Sequence, residues 1–462
     1  MNRSRLRITW PLTAMFSAYP LWWVLGLSGF SWLIIAIPMV AIIIGQHRSR
    51  VPAAFVLWLA FLGWVLLSGV QITSGKTDLT FGYRFGLYLA GTVLFIFVYN
   101  LPRSPEVNAR VLRILTVFWM IVVAGGYAGI LLHSFSFTPP LDYLLPHGLR
   151  SQPFVQQLVE PVFAEVQSFL GYPIPRPAAP FTYTNNWGGI IAVLTFVALA
   201  SITSTQSKRW RRLVLVVLVL SVVPMAFSLN RGMFLSIGVG IVYIVVRLAA
   251  RGRARALATM LTVTALALAV LVLTPLGGLV TASFSSSHGQ SNSTRANLYK
   301  QASSGAAASP IFGYGGPKLQ AGQTSGAAVG TQGQLWVVLY SDGYPALVLF
   351  LGFFVAVLWQ TRRAPGTAGL CLNTVPVVGL TQIVVYGWLP AELQVIMVAA
   401  ALTYRMCGRR RAGEPDNAPA ESHRRSQAEL ALGSQRYRQV VTARATAHRS
   451  GWRSGLSPAQ EQ

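Results

Sequence analysis

Charged residues are scarce in this chain, and acidic residues are the scarcest. Only 11% of the 462 residues are charged, with 12 Asp and Glu against 37 Lys and Arg. Soluble domains average about 25% charged residues, so the composition argues against a single soluble globule. The net charge of +25 is compatible with nucleic-acid binding, but the basic residues fall in short clusters between apolar runs. Orientation in a membrane explains such clusters better, and no nucleic acid is expected as a partner.

Cysteine is nearly absent, and so are the common cofactor and metal motifs. Cys371 and Cys407 lie in or beside apolar segments without metal-ligand spacing, which argues against a disulfide framework and a zinc site. The sequence also lacks a Walker lysine loop, a dinucleotide glycine fingerprint after a strand and a paired His-Glu metal motif. ATP-driven transport and metal-dependent hydrolysis are therefore disfavoured, and we expect neither a cofactor nor a metal.

Long apolar runs fill the chain instead. Runs of about 18 or more apolar residues are typical of bilayer-spanning helices. Such stretches lie near residues 11–28, 30–46, 51–72, 84–101, 113–132, 187–204, 212–229, 232–249, 256–279, 334–358, 367–387 and 390–406. They predict an all-α polytopic membrane protein with about twelve transmembrane helices in a domain over residues 1–407. Residues 374–406 hold two helices only if each is short, so a re-entrant segment is the alternative there.

The basic clusters predict the orientation of these helices. With the N-terminus inside, the clusters near residues 48–50, 103–113, 208–212, 247–255 and 362–363 all fall on the cytoplasmic side, as the positive-inside rule requires. Both termini are then cytoplasmic. The first apolar run is not closed by a small-residue cleavage site, which predicts an uncleaved span. Residues 408–462 are rich in Arg, Ala and Ser and predict a basic, disordered cytoplasmic tail.

Two long outer loops, at about residues 133–186 and 280–333, differ from the short connections elsewhere. In the first, apolar residues repeat at helical spacing over residues 153–170 while Gln and Glu take the other face. This pattern predicts an amphipathic helix in the membrane interface. The second loop is rich in Gly, Ser and Ala and predicts an irregular segment, with a short helix over residues 293–300 and a glycine-rich turn over residues 310–317.

Arginines at the outer face are the strongest candidates for functional groups. Arg is costly near hydrocarbon, and its fixed fork of donors matches phosphate oxygens two at a time. Arg231 lies at a tight junction between two apolar spans, Arg295 lies in the second outer loop, and Arg84 and Arg176 are weaker members of the set. Together they can hold a diphosphate without a metal. The alternatives are an Arg231 that reaches lipid headgroups and a solvated Arg295.

Three segments carry a family resemblance. They are Asn230-Arg231-Gly232, the stretch from Arg295 to Tyr299 followed by Ser309 to Gly315, and Gly330 to Trp336 followed by Asp342-Gly343. These segments resemble, in order, the Ser-Arg-Gly motif, the Arg-x-x-Leu-aromatic and Pro-x-x-Gly-x-Gly motifs, and the His-Asn motif with its helix-ending Gly. The motifs belong to the O-antigen ligase and polysaccharide polymerase family of bacterial membrane glycosyltransferases. The similarity covers about residues 225–360.

The resemblance implies a transferase in the bacterial inner (plasma) membrane. Its donor would be a glycan on a polyprenyl diphosphate carrier at the outer face, and its acceptor a hydroxyl of a glycan or lipid. Arg231 and Arg295 would bind the diphosphate and stabilise the leaving group, with Tyr299 of the same motif as a further contact. Arg84 and Arg176, from the outer basic set, are further substrate-binding candidates.

The family's outer-loop histidine, taken as the base that activates the acceptor hydroxyl, has no histidine counterpart in this chain. By register from Gly343, Gln332 stands closest to that place. A neutral amide can orient a hydroxyl but cannot remove its proton.

Four further residues are candidates at the outer face. Glu160 is a possible base, although a carboxylate on the polar face of an amphipathic helix is normally only solvated. Asp342 falls inside an apolar span, where an ionisable residue usually has a partner or a role in function. Pairing of Asp342 with an outer arginine is as consistent with the sequence as catalysis. Asn186 and Trp187 can bind sugar or an isoprenoid stem, or belong to an aromatic belt.

Three functions remain open on this basis. The first is extracytoplasmic glycan transfer from a polyprenyl diphosphate, by a polymerase or an O-antigen ligase-like enzyme of envelope or exopolysaccharide synthesis. The second is a lipid-linked oligosaccharide flippase or transporter, and the third is a non-catalytic assembly partner. A flippase should line a central cavity with charges from several spans at mid-membrane depth. The polar candidates concentrate in outer loops, which favours the first.

Overall fold

The chain is mostly helical in the computed structural model, which describes residues 8–46, 49–72, 75–168, 172–273, 278, 289–318 and 328–411. Of the predicted tail over residues 408–462, residues 412–462 lie outside the described part of the chain. Numbered in chain order from six residues upward, the helices before the middle of the chain are α1 (Tyr19–Val24), α2 (Ser31–Gly45), α3 (Phe55–Ser68), α4 (Gly75–Asn100), α5 (Pro105–Leu131), α6 (Pro153–Val159) and α7 (Thr184–Ser204).

The second half continues the helical pattern. It contains α8 (Lys208–Leu220), α9 (Val222–Phe227), α10 (Arg231–Ala249), α11 (Ala254–Leu273), α12 (Gly289–Ala308), α13 (Gln334–Thr361), α14 (Gly366–Gln382) and α15 (Glu392–Arg411). Shorter helical segments are Trp10–Leu12, the π-helix Thr13–Ser17, the 3-10 turn Gly69–Gln71, Pro140–Leu144 and His147–Arg150.

Six helical stretches of the described chain are long and apolar enough to cross a membrane. They are Asp78–Asn100, Pro105–Leu131, Thr184–Ser204, Lys208–Phe227, Arg231–Ala249 and Gln334–Thr361. The protein is therefore a multi-pass membrane protein. Each predicted apolar run overlaps helical residues, and the total of twelve spans stays a prediction.

One helix, α7, lies at the centre of the packed bundle. In its most apolar 18-residue window 78% of the residues are buried, against 28% in α10. It packs mainly against α5 and α14. Large apolar side chains of α10 such as Leu235, Val242 and Val246 stay exposed, as expected for a surface that faces lipid.

The helix predicted over residues 153–170 is wrong in its second half. α6 ends at Val159, and β1 (Ala164–Gln167) pairs antiparallel with β2 (Ile174–Pro177). Pro161 explains the early end, because the residue before a proline is disfavoured in helical conformation, and Glu160 has an extended ψ of 122°. The fold is thus mostly helical, as predicted, with one short two-stranded sheet. Residues 169–171 lie outside the described part of the chain.

The second outer loop is more regular than its composition predicts. The described part contains α12, a 20-residue helix that extends well beyond the predicted residues 293–300. The later turns of this helix carry several alanines, which are the best helix formers. Buried Leu298 and Ala302 pack the helix against Tyr340 of α13, so α12 is held by tertiary contacts.

A buried arginine fastens α15 to the end of α4. Arg405 is 2% exposed. Its guanidinium donates hydrogen bonds to Asn108 Oδ1 at 2.8 Å and to the carbonyls of Val98, Tyr99, Leu101 and Pro102 at 2.6–3.3 Å. The last carbonyls of a helix have no partner within the helix, and a cation near them also interacts favourably with the helix dipole. Arg405 therefore caps the C-terminal end of α4.

Replacing Arg405 with alanine is expected to destabilise the protein by about 3 kcal/mol, because several buried carbonyls lose their donors together. Thermal unfolding in detergent measures the change. Arg253→Ala is the matched control, since Arg253 is exposed, and it should leave the melting temperature unchanged. Equal melting temperatures for the two variants would contradict the capping role.

Candidate functional site

A cavity of about 610 Å³ lies among α4, α6, the start of α7 and the segments that flank α13 and α15. Its polar side chains include Arg84, Gln157, Asn185, Asn186, Thr331 and Gln332, and its aromatic side chains are Tyr83, Phe154, Tyr183 and Tyr386. Of the described residues that line it, Arg84 is the one that carries a charge. Amides and hydroxyls beside aromatic rings suit a ligand with sugar and apolar parts.

Three predicted arginines come together beside this cavity, from three separate parts of the chain. Arg176 on β2 is buried, and burial lowers the pKa of its guanidinium. The Glu165 carboxylate opposes this change, while the positive charges of Arg295 and Arg231 lower the pKa of Arg176 further. These three arginines, called the arginine cluster below, are thus close enough to interact electrostatically.

Hydrogen bonds fix Arg176 within the cluster. Its Nε donates to the carbonyl of Ser228 at 2.7 Å, and its Nη1 donates to Gln167 Oε1 at 2.6 Å. Ser228 is the C-cap residue of α9. The strand hairpin is therefore joined to the junction that carries Arg231. The hairpin replaces the predicted interfacial helix here and supplies the support for the cluster.

The junction before Arg231 has an unusual backbone. Leu229 has a φ of 51°, in the left-handed region that residues other than glycine rarely adopt. The next residue, Asn230, is buried, and its Nδ2 donates to the carbonyl of Thr184 at 3.3 Å. α10 then begins at Arg231. The strained turn and the buried amide together set the position of Arg231 at the start of the helix.

Tyr386 connects the cluster to the cavity. Its side chain lines the cavity, and the charges of Arg295 and Arg176 act on its hydroxyl. A Cβ added at Gly232 would lie 2.5 Å from the Tyr386 hydroxyl oxygen. The glycine of the Asn-Arg-Gly segment is therefore required for close approach of the tyrosine.

The glycine-rich turn docks into a kink of α13. Gly343 has φ 82° and ψ −179° inside that helix, a conformation open almost only to glycine. Backbone hydrogen bonds join the turn to the kink, from Tyr314 N to Tyr340 O at 3.1 Å, from Gly315 N to Ser341 O at 2.8 Å and from Tyr344 N to Pro310 O at 2.9 Å. The two motifs predicted from sequence thus form one structural unit.

Asp342, next to the kink, is buried beside the cavity residue Arg84. Its Oδ1 accepts a hydrogen bond from Ser68 Oγ at 2.7 Å. Arg84 Nη1 donates to Ser341 Oγ at 3.1 Å, and its charge interacts with that of Asp342. Arg84 is thus held through Ser341, and Asp342 acts on it electrostatically.

The other predicted residues fall in different surroundings. Asn186 and Gln332 line the cavity with Arg84. Glu160 is exposed and is not part of the described lining. Trp187 is fully buried and donates from Nε1 to the carbonyl of Val122 at 3.0 Å, which is a packing position between α7 and α5. Burial therefore removes it from contact with a ligand.

Tyr299 lies in the contact between α12 and α13. Its ring is stacked on Trp336, with 4.9 Å between ring centroids. Burial raises the pKa of the Tyr299 hydroxyl, and the nearby charge of Arg295 lowers it. The tyrosine thus lies next to the cluster, and its ring helps to hold the helix that carries Arg295.

Two further residues lie near the site. Tyr386 lies in a predicted span and carries no motif, so the sequence holds no signal for it. Glu392, which directly follows Leu389-Pro390-Ala391 in an apolar region, is 2% exposed, and its Oε1 accepts a hydrogen bond from Gln382 Nε2 at 2.5 Å.

No group of three or more His, Cys, Asp or Glu side chains within the described ranges is arranged to hold a metal ion. A comparison with curated proteins gave no match. A family model described as O-antigen ligase matches residues 216–343. The matched segment includes Arg231, Arg295, Gln332 and the kink at Gly343, and it overlaps the region 225–360 predicted from the motifs. The family model thereby confirms the resemblance over residues 216–343, where this multi-pass membrane protein is similar to the O-antigen ligases.

Proposed function

We propose that this protein transfers a glycan from a polyprenyl diphosphate carrier to an acceptor hydroxyl at the outer face of the bacterial inner membrane, with both termini in the cytoplasm. It would act as a polysaccharide polymerase or an O-antigen ligase-like enzyme. The observation that carries the proposal is the convergence of Arg176, Arg231 and Arg295 beside a cavity with amide and aromatic lining. Two of these arginines belong to the O-antigen ligase match.

The arginine cluster suits the leaving group of such a reaction. The bond between the sugar's anomeric carbon and the phosphate oxygen breaks, and the diphosphate leaves with the electron pair. The acceptor oxygen forms the new bond to the anomeric carbon and loses its proton. Negative charge therefore builds on the diphosphate in the transition state, where fixed guanidinium groups stabilise it most. Arg176 is already immobilised by Ser228 and Gln167, so little reorganisation is needed.

The cavity would hold the sugar and the acceptor. Asn186 and Gln332 can hydrogen-bond hydroxyl groups, and Arg84, oriented through Ser341 and Asp342, can contact an anionic or hydroxyl group. Gln332 would orient the attacking hydroxyl without taking its proton, which would pass to solvent or to a group of the substrates. This assignment separates donor activation by the arginine cluster from acceptor positioning by the cavity.

Replacing Gln332 with alanine is expected to lower kcat/KM about tenfold, the effect of one lost hydrogen bond in the transition state. Gln332→His should add a pH dependence: the rate should rise with pH through about 6.5, since only neutral imidazole accepts a proton. Initial rates between pH 5.5 and 8.5 test both effects. Gln71→Ala is the control, because Gln71 is exposed outside the cavity. Unchanged kinetics for Gln332→Ala would contradict the assignment.

The test of the proposed function is reconstitution of the purified protein in nanodiscs with a polyprenyl-diphosphate-linked glycan and no added nucleotide or metal. Released carrier diphosphate with a ladder of products indicates a polymerase. A single product that requires a separate acceptor indicates a ligase. Absence of carrier release, with wild type equal to Arg231→Ala, would reject the proposal in favour of a flippase or an assembly partner.

A further inference from the structure

Tyr386 is held rigidly at the edge of the cavity. It lies between α14 and α15 and is 4% exposed. Its backbone N–H donates to the carbonyl of Gln382 at 2.9 Å, and its carbonyl accepts from the N–H of Gln334 at 2.8 Å. Both backbone polar groups are thus paired, so the backbone that carries the Tyr386 ring is held in position. A side chain on such a support can place one atom accurately.

The hydroxyl oxygen of Tyr386 lies against the first turn of α10. A Cβ added at Gly232 would lie 2.5 Å from it, and the backbone N–H groups of Gly232 and Met233 act on it as donors. Both N–H groups belong to the first turn of the helix, whose donors point out of its N-terminal end, and that of Met233 also donates to the carbonyl of Asn230 at 3.1 Å. A phenolic oxygen that faces N–H donors keeps its own proton available for donation.

Within the described part of the chain, the charged groups that act on this hydroxyl are cations. Arg295 and Arg176 act on it electrostatically, and Arg231 directly precedes Gly232 in the chain. Guanidinium groups and backbone N–H groups are donors and cannot accept the hydroxyl proton. An anion bound within the arginine cluster can accept it, and it would then receive one neutral donor together with the guanidinium donors.

We propose that the Tyr386 hydroxyl donates a hydrogen bond to a phosphate oxygen of the diphosphate held by the arginine cluster. The inference rests on the proposed function for the identity of this anion. It adds to the cluster a residue outside the matched segment 216–343, and it explains the glycine after Arg231. Any side chain at position 232 would displace the tyrosine hydroxyl from the site.

Tyr386→Phe tests this role, because it removes the hydroxyl and keeps the ring. Binding of inorganic diphosphate to the full chain in nanodiscs, measured by calorimetry, is expected to weaken about tenfold, since hydrogen bonds to charged groups are among the stronger ones. KM for the glycan donor should rise at least as much as kcat falls. Tyr344→Phe is the matched control, because Tyr344 is 44% exposed on α13, and it should bind like wild type.

A purely structural role of Tyr386 predicts a different result. It would lower the melting temperature and the active fraction, while the folded fraction would keep the wild-type affinity for diphosphate. That outcome would overturn the inference, as would a wild type that transfers glycan without binding diphosphate. Neither of these two outcomes contradicts the proposed function, provided that wild type releases the carrier. Absence of glycan transfer by wild type would instead reject the proposed function together with this inference.

Discussion

Glycan transfer by Arg231→Ala is expected to be about 10²–10³-fold slower than by wild type, the usual effect of removing one fixed donor from a site of developing negative charge. The loss should appear mainly in kcat, because the charge on the diphosphate grows as the glycosidic bond breaks. Arg231→Lys should recover only part of the rate, since an ammonium group cannot form paired hydrogen bonds with two phosphate oxygens. Initial rates of carrier release in nanodiscs measure all three proteins.

Arg150→Ala is the matched control for this loss. Arg150 also lies in an outer loop, but it is half exposed and forms a salt bridge with Asp142 at 2.6 Å, so its removal should leave transfer unchanged. Arg295→Ala should resemble Arg231→Ala. Under the proposed function both arginines act on one diphosphate, so the double variant should lose less than the product of the two single losses. Full activity of both single variants would reject the diphosphate-binding role of the cluster.

Much of the helical pattern could be predicted from the sequence because apolar runs in a membrane protein must form helices. Each run overlaps helical residues, and Arg231 falls at a junction as its motif indicates, whereas Gly343, expected at a helix end, lies at a kink inside α13. Residues 153–170 show where periodicity misleads. The apolar spacing continues past Pro161, but the proline ends the helix, and the remaining residues pair as a strand with Ile174–Pro177. Strand pairing depends on a distant partner, which local spacing does not reveal.

The candidate site could be predicted only where its residues lie in motifs. The arginines were found because an isolated Arg between apolar segments is conspicuous, whereas Tyr386 and Arg405 lie in segments where a tyrosine or a basic residue is ordinary. Their roles come from interactions with residues that are distant in the sequence, Arg176 for Tyr386 and Val98 for Arg405. Trp187 illustrates the opposite error, since its place at the start of a span suggested a membrane interface while the helix packing buries it.

Gly343→Ala is expected to destabilise the protein by about 4 kcal/mol and to abolish transfer. The backbone conformation at Gly343, with φ 82° and ψ −179°, costs an alanine roughly 1–3 kcal/mol. The added Cβ would also lie 2.2 Å from the carbonyl oxygen of Ile311, and such overpacking costs roughly 1–3 kcal/mol more. The glycine-rich turn would have to leave the kink, and Asp342 and Ser341, which orient Arg84, would move with it.

Two other glycines separate the causes of this loss. Gly366 has a φ of +67° with open space around its Cβ position, so Gly366→Ala should cost only about 1–2 kcal/mol, the penalty of left-handed backbone. Gly238 is exposed on α10 with no atom near its Cβ position, and Gly238→Ala should be neutral or stabilise the helix by up to about 1 kcal/mol. In thermal unfolding, Gly238→Ala should therefore have the highest melting temperature of the three variants, Gly366→Ala an intermediate one and Gly343→Ala the lowest. If Gly343→Ala unfolded like Gly366→Ala, docking of the turn against Ile311 would contribute nothing to stability, and the kink would be a local feature of α13 alone.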